Sequence, residues 1–170
     1  GYGRTDKKDQ PRVPITARLV ADLLGIAGAE RVLTLDLHAG QIQGFFNIPV
    51  DELTALPIIT SYFRSKNLER PVVVAVDIGI SKRARDFAER LSVPLAIVEK
   101  RRVAGNQETT EQLNVIGDVA GRTAILMDDE VDTAGSVVGA AVALKAAGAQ
   151  KVYACCTHGI LSGRALERLA

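Results

Sequence analysis

Residues Thr123–Ala149, TAILMDDEVDTAGSVVGAAVALKAAGA, decide how the chain is read. An apolar run stops at Asp128 and Asp129, a third acid follows at Asp132, and the small-residue turn Thr133-Ala134-Gly135-Ser136 opens an Ala-rich helix that Gly148 closes. Adjacent carboxylates repel each other, so a purely structural role leaves their clustering unexplained. A buried strand that delivers them to one edge of a sheet, with a helix N-terminus beside them, gives them work to do.

The same pattern recurs outward from this stretch. RVLTLDLH ends at Asp36 and His38, PVVVAVD at Asp77, PLAIVEKRR at Lys100, Arg101 and Arg102, and KVYACCTH at His158. These are continuous apolar strands rather than alternating ones, and helical stretches separate them, which predicts α/β architecture with parallel sheets covered on both faces. After Pro14 the apolar residues Ile15, Leu19, Leu23 and Ala27 share one helical face. SKRARDFAERL sets Ala84, Phe87, Ala88 and Leu91 on another, with Ser81 as its expected N-cap, and GRALERLA forms a last helical stretch.

Two stretches read as connections. NIPVDELTALPIITSYF carries two prolines and a weak pattern, and places a boundary near Leu56 between two α/β units, 1–55 and 56–170. Val103 to Gln112, VAGNQETTEQ, is nearly bare of apolar residues and is expected to be a lid or a disordered loop, with Lys100 and Arg102 at its base and Gly105 as a hinge for a lid.

Composition narrows the partners. With 47% apolar and 24% charged residues in 170, and a net charge of +1, the chain reads as soluble and globular. Neither nucleic acid nor membrane is expected as a bulk electrostatic partner. No apolar run approaches the ~18 residues of a membrane span and no signal-peptide pattern is present, so a cytoplasmic location is the expectation. Adjacent Cys155 and Cys156 read as small core fillers. The opening GYGRTDKKDQPRVPIT, without an initiator Met, reads as part of a longer protein.

Polar strand ends of this kind place Asp36, His38, Asp77, Lys100, Arg102, Asp128 and Asp129 at the carboxyl edges of their sheets, where open parallel sheets bind ligands. A strand leading through DDEVDTAGS into a helix gathers free N–H groups around one small volume, which suits a phosphate. Thr133 and Ser136 add hydroxyl donors, and Ala134 and Gly135 let the backbone come close. The carboxylates cannot face the phosphate itself, so they accept hydrogen bonds from neighbouring hydroxyls or reach a metal. A sugar phosphate satisfies both halves. Asp77 with Lys100 and Arg102 suits a reaction on a polyphosphate, because Mg²⁺ is commonly held by one or two protein ligands plus phosphate oxygens. For His38 alone a structural role and a ligand role stay equally open.

The segments GYGRTDKK, PITARLVADLL, RVLTLDLHAGQIQGFFNIPVDEL, KRR, NVIGDVAGRTAILMDDEVDTAGS and THGILSG resemble the ribose-phosphate diphosphokinase family, nearly end to end in this chain but without roughly the first third of the family's longer chain. The resemblance implies a fold of two phosphoribosyltransferase-like α/β domains in tandem, the first incomplete here. It implies diphosphoryl transfer from Mg-ATP to the C1 hydroxyl of ribose 5-phosphate, giving phosphoribosyl pyrophosphate and AMP, in a homo-oligomer, usually a hexamer. By motif, Asp132, Thr133, Ala134, Gly135 and Ser136 would cradle ribose 5-phosphate, and Asp128 and Asp129 would hold its ring hydroxyls. Lys100 and Arg102 would be catalytic, His38 and Asp77 would sit at Mg²⁺, and Arg4 and Thr5 would contact ATP.

Two positions depart from the family pattern. Thr5 stands where a glutamine is usual, and Ile80 where a glycine is usual, so a side chain at Ile80 is expected to exclude a glycine-only conformation or crowd a ligand. A phosphoribosyltransferase, or a catalytically silent sugar-phosphate binder that regulates a partner, are the alternative readings. DLHAGQIQGFF and KRR speak against the first, and intact Lys100, Arg102, Asp128 and Asp132 against the second.

Overall fold

The computed structural model describes residues 4, 6–8, 11–104 and 109–170, with the backbone alone at 101–104 and 109–112. Packing divides the chain into two units, Gly1–Ala55 and Leu56–Ala170.

The first unit contains helix α1 (Thr16–Ile26), strand β1 (Val32–Leu35), a 3₁₀ turn over Gly40–Phe45 and strand β2 (Val50–Leu53). β1 and β2 pair in parallel, Val32 opposite Val50 and Leu35 opposite Leu53. Here the sequence reading is corrected twice. The face of α1 that is buried carries Ala17 and Ala21, whereas Leu23 is 56% exposed and Leu19 is exposed too. Strand β1 is not buried on both faces, since Leu33 is 68% exposed and Leu35 is open as well. The physical reason is the small sheet, since two strands alone cover little apolar surface.

In the second unit the chain runs α2 (Leu56–Ser65), β3 (Pro71–Ala75), α3 (Ser81–Leu91), β4 (Leu95–Ala104) and β5 (Thr109–Ile116). It continues with β6 (Thr123–Met127), β7 (Glu130–Val131), α4 (Gly135–Ala146), β8 (Lys151–Cys155), β9 (His158–Gly159) and α5 (Ala165–Leu169). The five-stranded sheet has the order β5-β4-β3-β6-β8. All its pairings are parallel except β4 with β5. Val72 to Ala75 are fully buried in succession, as are Thr123 to Met127, which is how a strand covered on both faces must read.

From the central pair, β3–α3–β4 and β6–α4–β8 step outward in opposite directions. Right-handed crossovers therefore set α3 and α4 on opposite faces and open a crevice beyond the carboxyl ends of β3 and β6. Phe87, Ala84 and Ala88 bury the inner side of α3, as their spacing predicts. Helix α4 ends in the expected glycine cap: Gly148, at φ 91°, donates to the Lys145 carbonyl, and the Ala149 N–H to that of Leu144.

Four further expectations change. Residues 103–104 and 109–112 are strand rather than bare loop: β4 runs to Ala104 and pairs antiparallel with β5, Ala104 opposite Thr109, at the sheet edge. An edge hairpin is only half covered, so it tolerates polar residues that a central strand would not. Gly105, the expected hinge, lies outside the described residues. The connection NIPVDELTALPIITSYF contains β2 and α2, with Pro57 in the first helical turn, where the missing N–H costs nothing. KVYACCTH is two strands, β8 and β9, broken at Cys156-Thr157. Ser81 opens α3 without a capping hydrogen bond, and the Asp77 carboxylate accepts the Ile80 N–H at 3.2 Å instead.

Candidate active site

The register aligns Ala75 with Met127 and Met127 with Cys155, so the residues leaving β3, β6 and β8 emerge at one edge. Asp77 and Asp128 flank the point where strand order reverses. Asp77 is exposed, Asp128 half-buried and Asp129 buried. The Asp128 carboxylate accepts the Asp129 N–H at 2.9 Å, and its own N–H donates to the Cys155 carbonyl at 3.1 Å. Burial first, then hydrogen bonding and repulsion from Asp129, with a smaller push from Asp77, raise the Asp128 carboxyl to about 7. The cluster thus holds a proton near neutrality that a cation or a set of sugar hydroxyls can displace.

Beyond the acids the chain is stitched to its C-terminal segment. β7 and β9 pair in parallel, Glu130 opposite His158, and the His158 N–H donates to the Asp129 carbonyl at 2.9 Å. The Ser162 N–H donates to the Asp132 carbonyl at 3.0 Å and its hydroxyl to the Asp132 carboxylate. Arg168, on α5, donates from Nη1 to the Thr133 carbonyl at 2.8 Å. Ala134 takes the left-handed conformation, φ 63° and ψ 3°, with its methyl 4% exposed, and turns the chain into α4. Thr133, Gly135 and Ser136 face solvent. The first-turn N–H groups of α4 have no helical acceptor, so this exposed turn offers donors to an anion.

Ile80 takes an ordinary backbone conformation. Its φ of −87° and ψ of −1° suit any residue, and its side chain is 7% exposed in the core. The tight position is its neighbour: a Cβ on Gly79 would lie 3.1 Å from Asp77 Oδ1.

The other predicted residues fall elsewhere. Lys100 is exposed on β4 opposite Leu113, and Arg102 lies opposite Glu111, its side chain outside the described set. His38 is exposed in the first unit, in a segment that Glu52 holds by accepting the Leu37 N–H at 3.0 Å and the Gln43 amide at 2.6 Å. Asp36 is buried and accepts the Ala55 N–H at 2.9 Å, a structural role. Arg4 is exposed; Thr5 lies outside the described residues. Glu52, Ser162 and Arg168 were not singled out from sequence. For the latter two, THGILSG and the following helix carried a signal only as a shared segment. Burial raises both thiols, Cys155 to about 12, and both are partly buried and packed against the core.

Comparison with known proteins points the same way as the geometry. A ribose-phosphate pyrophosphokinase of Bacillus caldolyticus is 57% identical over 169 residues, 99% of this chain and 53% of that relative. One from Clostridium perfringens is 56% identical with the same coverage. Over 99% of its length the chain is similar to ribose-phosphate pyrophosphokinases. It spans about half the length of the curated relatives it matches. The profile of the phosphoribosyl synthetase-associated domain matches residues 102–170. The crystal structure of phosphoribosylpyrophosphate synthetase from Mycobacterium smegmatis superposes with a TM-score of 0.90 at 46% identity, covering 99% of this chain and 54% of that one. A purine phosphoribosyltransferase from Pyrococcus horikoshii, at 16% identity and a TM-score of 0.51, shares the fold alone.

Proposed function

We propose that this chain carries the ribose 5-phosphate site of an enzyme that transfers the diphosphoryl group of ATP to the C1 hydroxyl of ribose 5-phosphate. The oxygen of that hydroxyl bonds to the β-phosphorus, the bond from the β-phosphorus to the bridging oxygen of AMP breaks, and the hydroxyl proton is released. One observation carries the reading: carboxylates and an exposed helix-opening turn share the switch-point edge, as a molecule with hydroxyls at one end and phosphate at the other requires.

Asp128 and Asp129 accept hydrogen bonds from the ring hydroxyls, while the turn from Asp132 to Ser136 receives the phosphate. Lys100 and Arg102 stabilise charge on the transferring group. The carboxylates fit Mg²⁺: they are hard oxygen donors that repel one another, and Asp77 spends Oδ1 on the Ile80 N–H and keeps Oδ2. Asp77 would hold an ion, and His38, in the first unit, is assigned to Mg²⁺ by the family resemblance alone. When bound, Mg²⁺ would offset charge on the phosphate oxygens. ATP contacts by Arg4 and Thr5, assembly into a homo-oligomer and residence in the cytoplasm belong to the same proposal.

Phosphorus NMR of the chain with Mg-ATP and ribose 5-phosphate tests it. Expected is AMP with phosphoribosyl pyrophosphate, at a rate that depends on Lys100. Ribose 5-phosphate that binds without turnover would reduce the reading to a binding unit, and absence of binding would overturn it.

A further inference from the structure

Resting on the ribose 5-phosphate reading, we propose that Arg168 is a positioning residue that aims the phosphate turn and offsets the acids beside it. Two observations meet here. Arg168 Nη1 donates to the Thr133 carbonyl at 2.8 Å, and the same nitrogen lies 3.7 Å from where a Cβ on Gly135 would stand. The guanidinium therefore borders the turn that opens α4.

The backbone consequence follows from peptide geometry. No peptide in the described chain is cis, so the Thr133 carbonyl and the Ala134 N–H point in opposite directions. Fixing the carbonyl towards Arg168 sends the Ala134 N–H the other way. It also supports Ala134 in a left-handed conformation that an alanine rarely adopts. Ser162 clamps the preceding residue by its contacts to the Asp132 carbonyl and carboxylate. The turn is thus held by the C-terminal segment from outside, leaving its open side to the ligand.

The charge consequence is as direct. Asp128, Asp129, Glu130 and Asp132 lie within five residues. A helix N-terminus contributes only about half a positive charge, which is small against such a cluster. A phosphate placed there needs a cation, and the Arg168 guanidinium supplies one. One N–H is committed to Thr133, and four of its five donors stay available for the phosphate or for water.

Isothermal titration of the whole chain with ribose 5-phosphate, with unphosphorylated ribose and inorganic phosphate as separate probes, tests the assignment. Arg168→Ala is expected to weaken ribose 5-phosphate and inorganic phosphate about tenfold or more, with the melting temperature and any ribose binding unchanged. Arg168→Lys keeps the charge and one donor, and is expected to recover most of the loss. Arg168→Ala binding within twofold of the wild type would overturn the inference while leaving the sugar-phosphate reading intact. So would a loss that accompanies unfolding and that Arg168→Lys, folded, fails to mend. Wild-type chain that binds no ribose 5-phosphate would overturn that reading first, and this inference with it.

Discussion

The acidic corner between β6 and α4 and the hairpin of β4 and β5 leave the same sheet, but they are built in different ways. At the corner almost every residue is tied: Asp128 to Cys155, Asp129 to His158, Asp132 to Ser162, Thr133 to Arg168. Lys100 on the hairpin is exposed, on a strand whose outer partner is the sheet edge. A site that must recognise a ground state gains from fixed donors, because ordering them has been done in folding. A group that must act on a transition state has to meet charge that appears only during reaction. The difference implies that damage to the two regions falls on different kinetic constants.

The largest break in that comparison is Lys100→Ala. Loss of a cation aimed at developing charge is expected to lower kcat by about 10²–10³ while ribose 5-phosphate affinity stays within about twofold. Steady-state rates together with calorimetric binding check it. Equal loss in both would put Lys100 in ground-state binding and erase the contrast. Asp132→Ala should do the reverse. It removes the carboxylate that Ser162 grips, so ribose 5-phosphate affinity is expected to fall about tenfold, with a smaller effect on kcat once substrate saturates. Unchanged affinity would take Asp132 out of the pocket.

A pH series sharpens the corner itself. The Asp128 carboxyl sits near 7, well above the usual carboxylate range, with burial first and Asp129 second among the causes. The folded chain therefore holds more protons than the unfolded chain between about 4 and 7. Stability from this group is fully present below that window and is lost as pH rises through it. Hydroxyls that donate to Asp128 favour its ionised form, so ribose 5-phosphate binding is expected to strengthen as pH climbs through about 7. Asp129→Asn removes one source of repulsion, and should move that midpoint to lower pH and flatten the loss of stability. Binding titrations and denaturant midpoints at several pH values measure both. A midpoint that stays in place would remove Asp129 from the causes and leave burial and Asp77.

How much of this was legible from sequence depended on burial. β3 and β6 are covered on both faces, so PVVVA and TAILM announce themselves, and with them the edge that holds Asp77 and Asp128. β2 was lost because Asp51 and Glu52 fill half of a four-residue strand, and α2 because Pro57 looks like a breaker when it sits in the first turn. The hairpin was lost because an exposed edge pairs through backbone and needs few apolar residues, though Leu113 and Val115 alternate towards the core. On α1 the periodicity chose the leucines, but the buried face carries alanines, where close approach mattered more than area. Ser162 and Arg168 act through the backbone of another segment, and composition carries no mark of that.

The smallest expected effect concerns how the corner is held. Ala134→Gly would remove the left-handed cost of ~1–2 kcal/mol at φ 63°. It would also delete a buried methyl worth ~0.8 kcal/mol and give the unfolded chain ~0.4–1 kcal/mol of added entropy. These terms nearly cancel, so urea unfolding should show a change within about 1 kcal/mol. Binding should then report on rigidity alone. If Arg168 and Ser162 hold the turn, glycine stays in the same conformation and ribose 5-phosphate affinity changes by less than about threefold. A much larger loss at unchanged stability would mean that the alanine, rather than the outer clamps, kept the N–H groups aimed. The corner would then be preorganised by its own backbone.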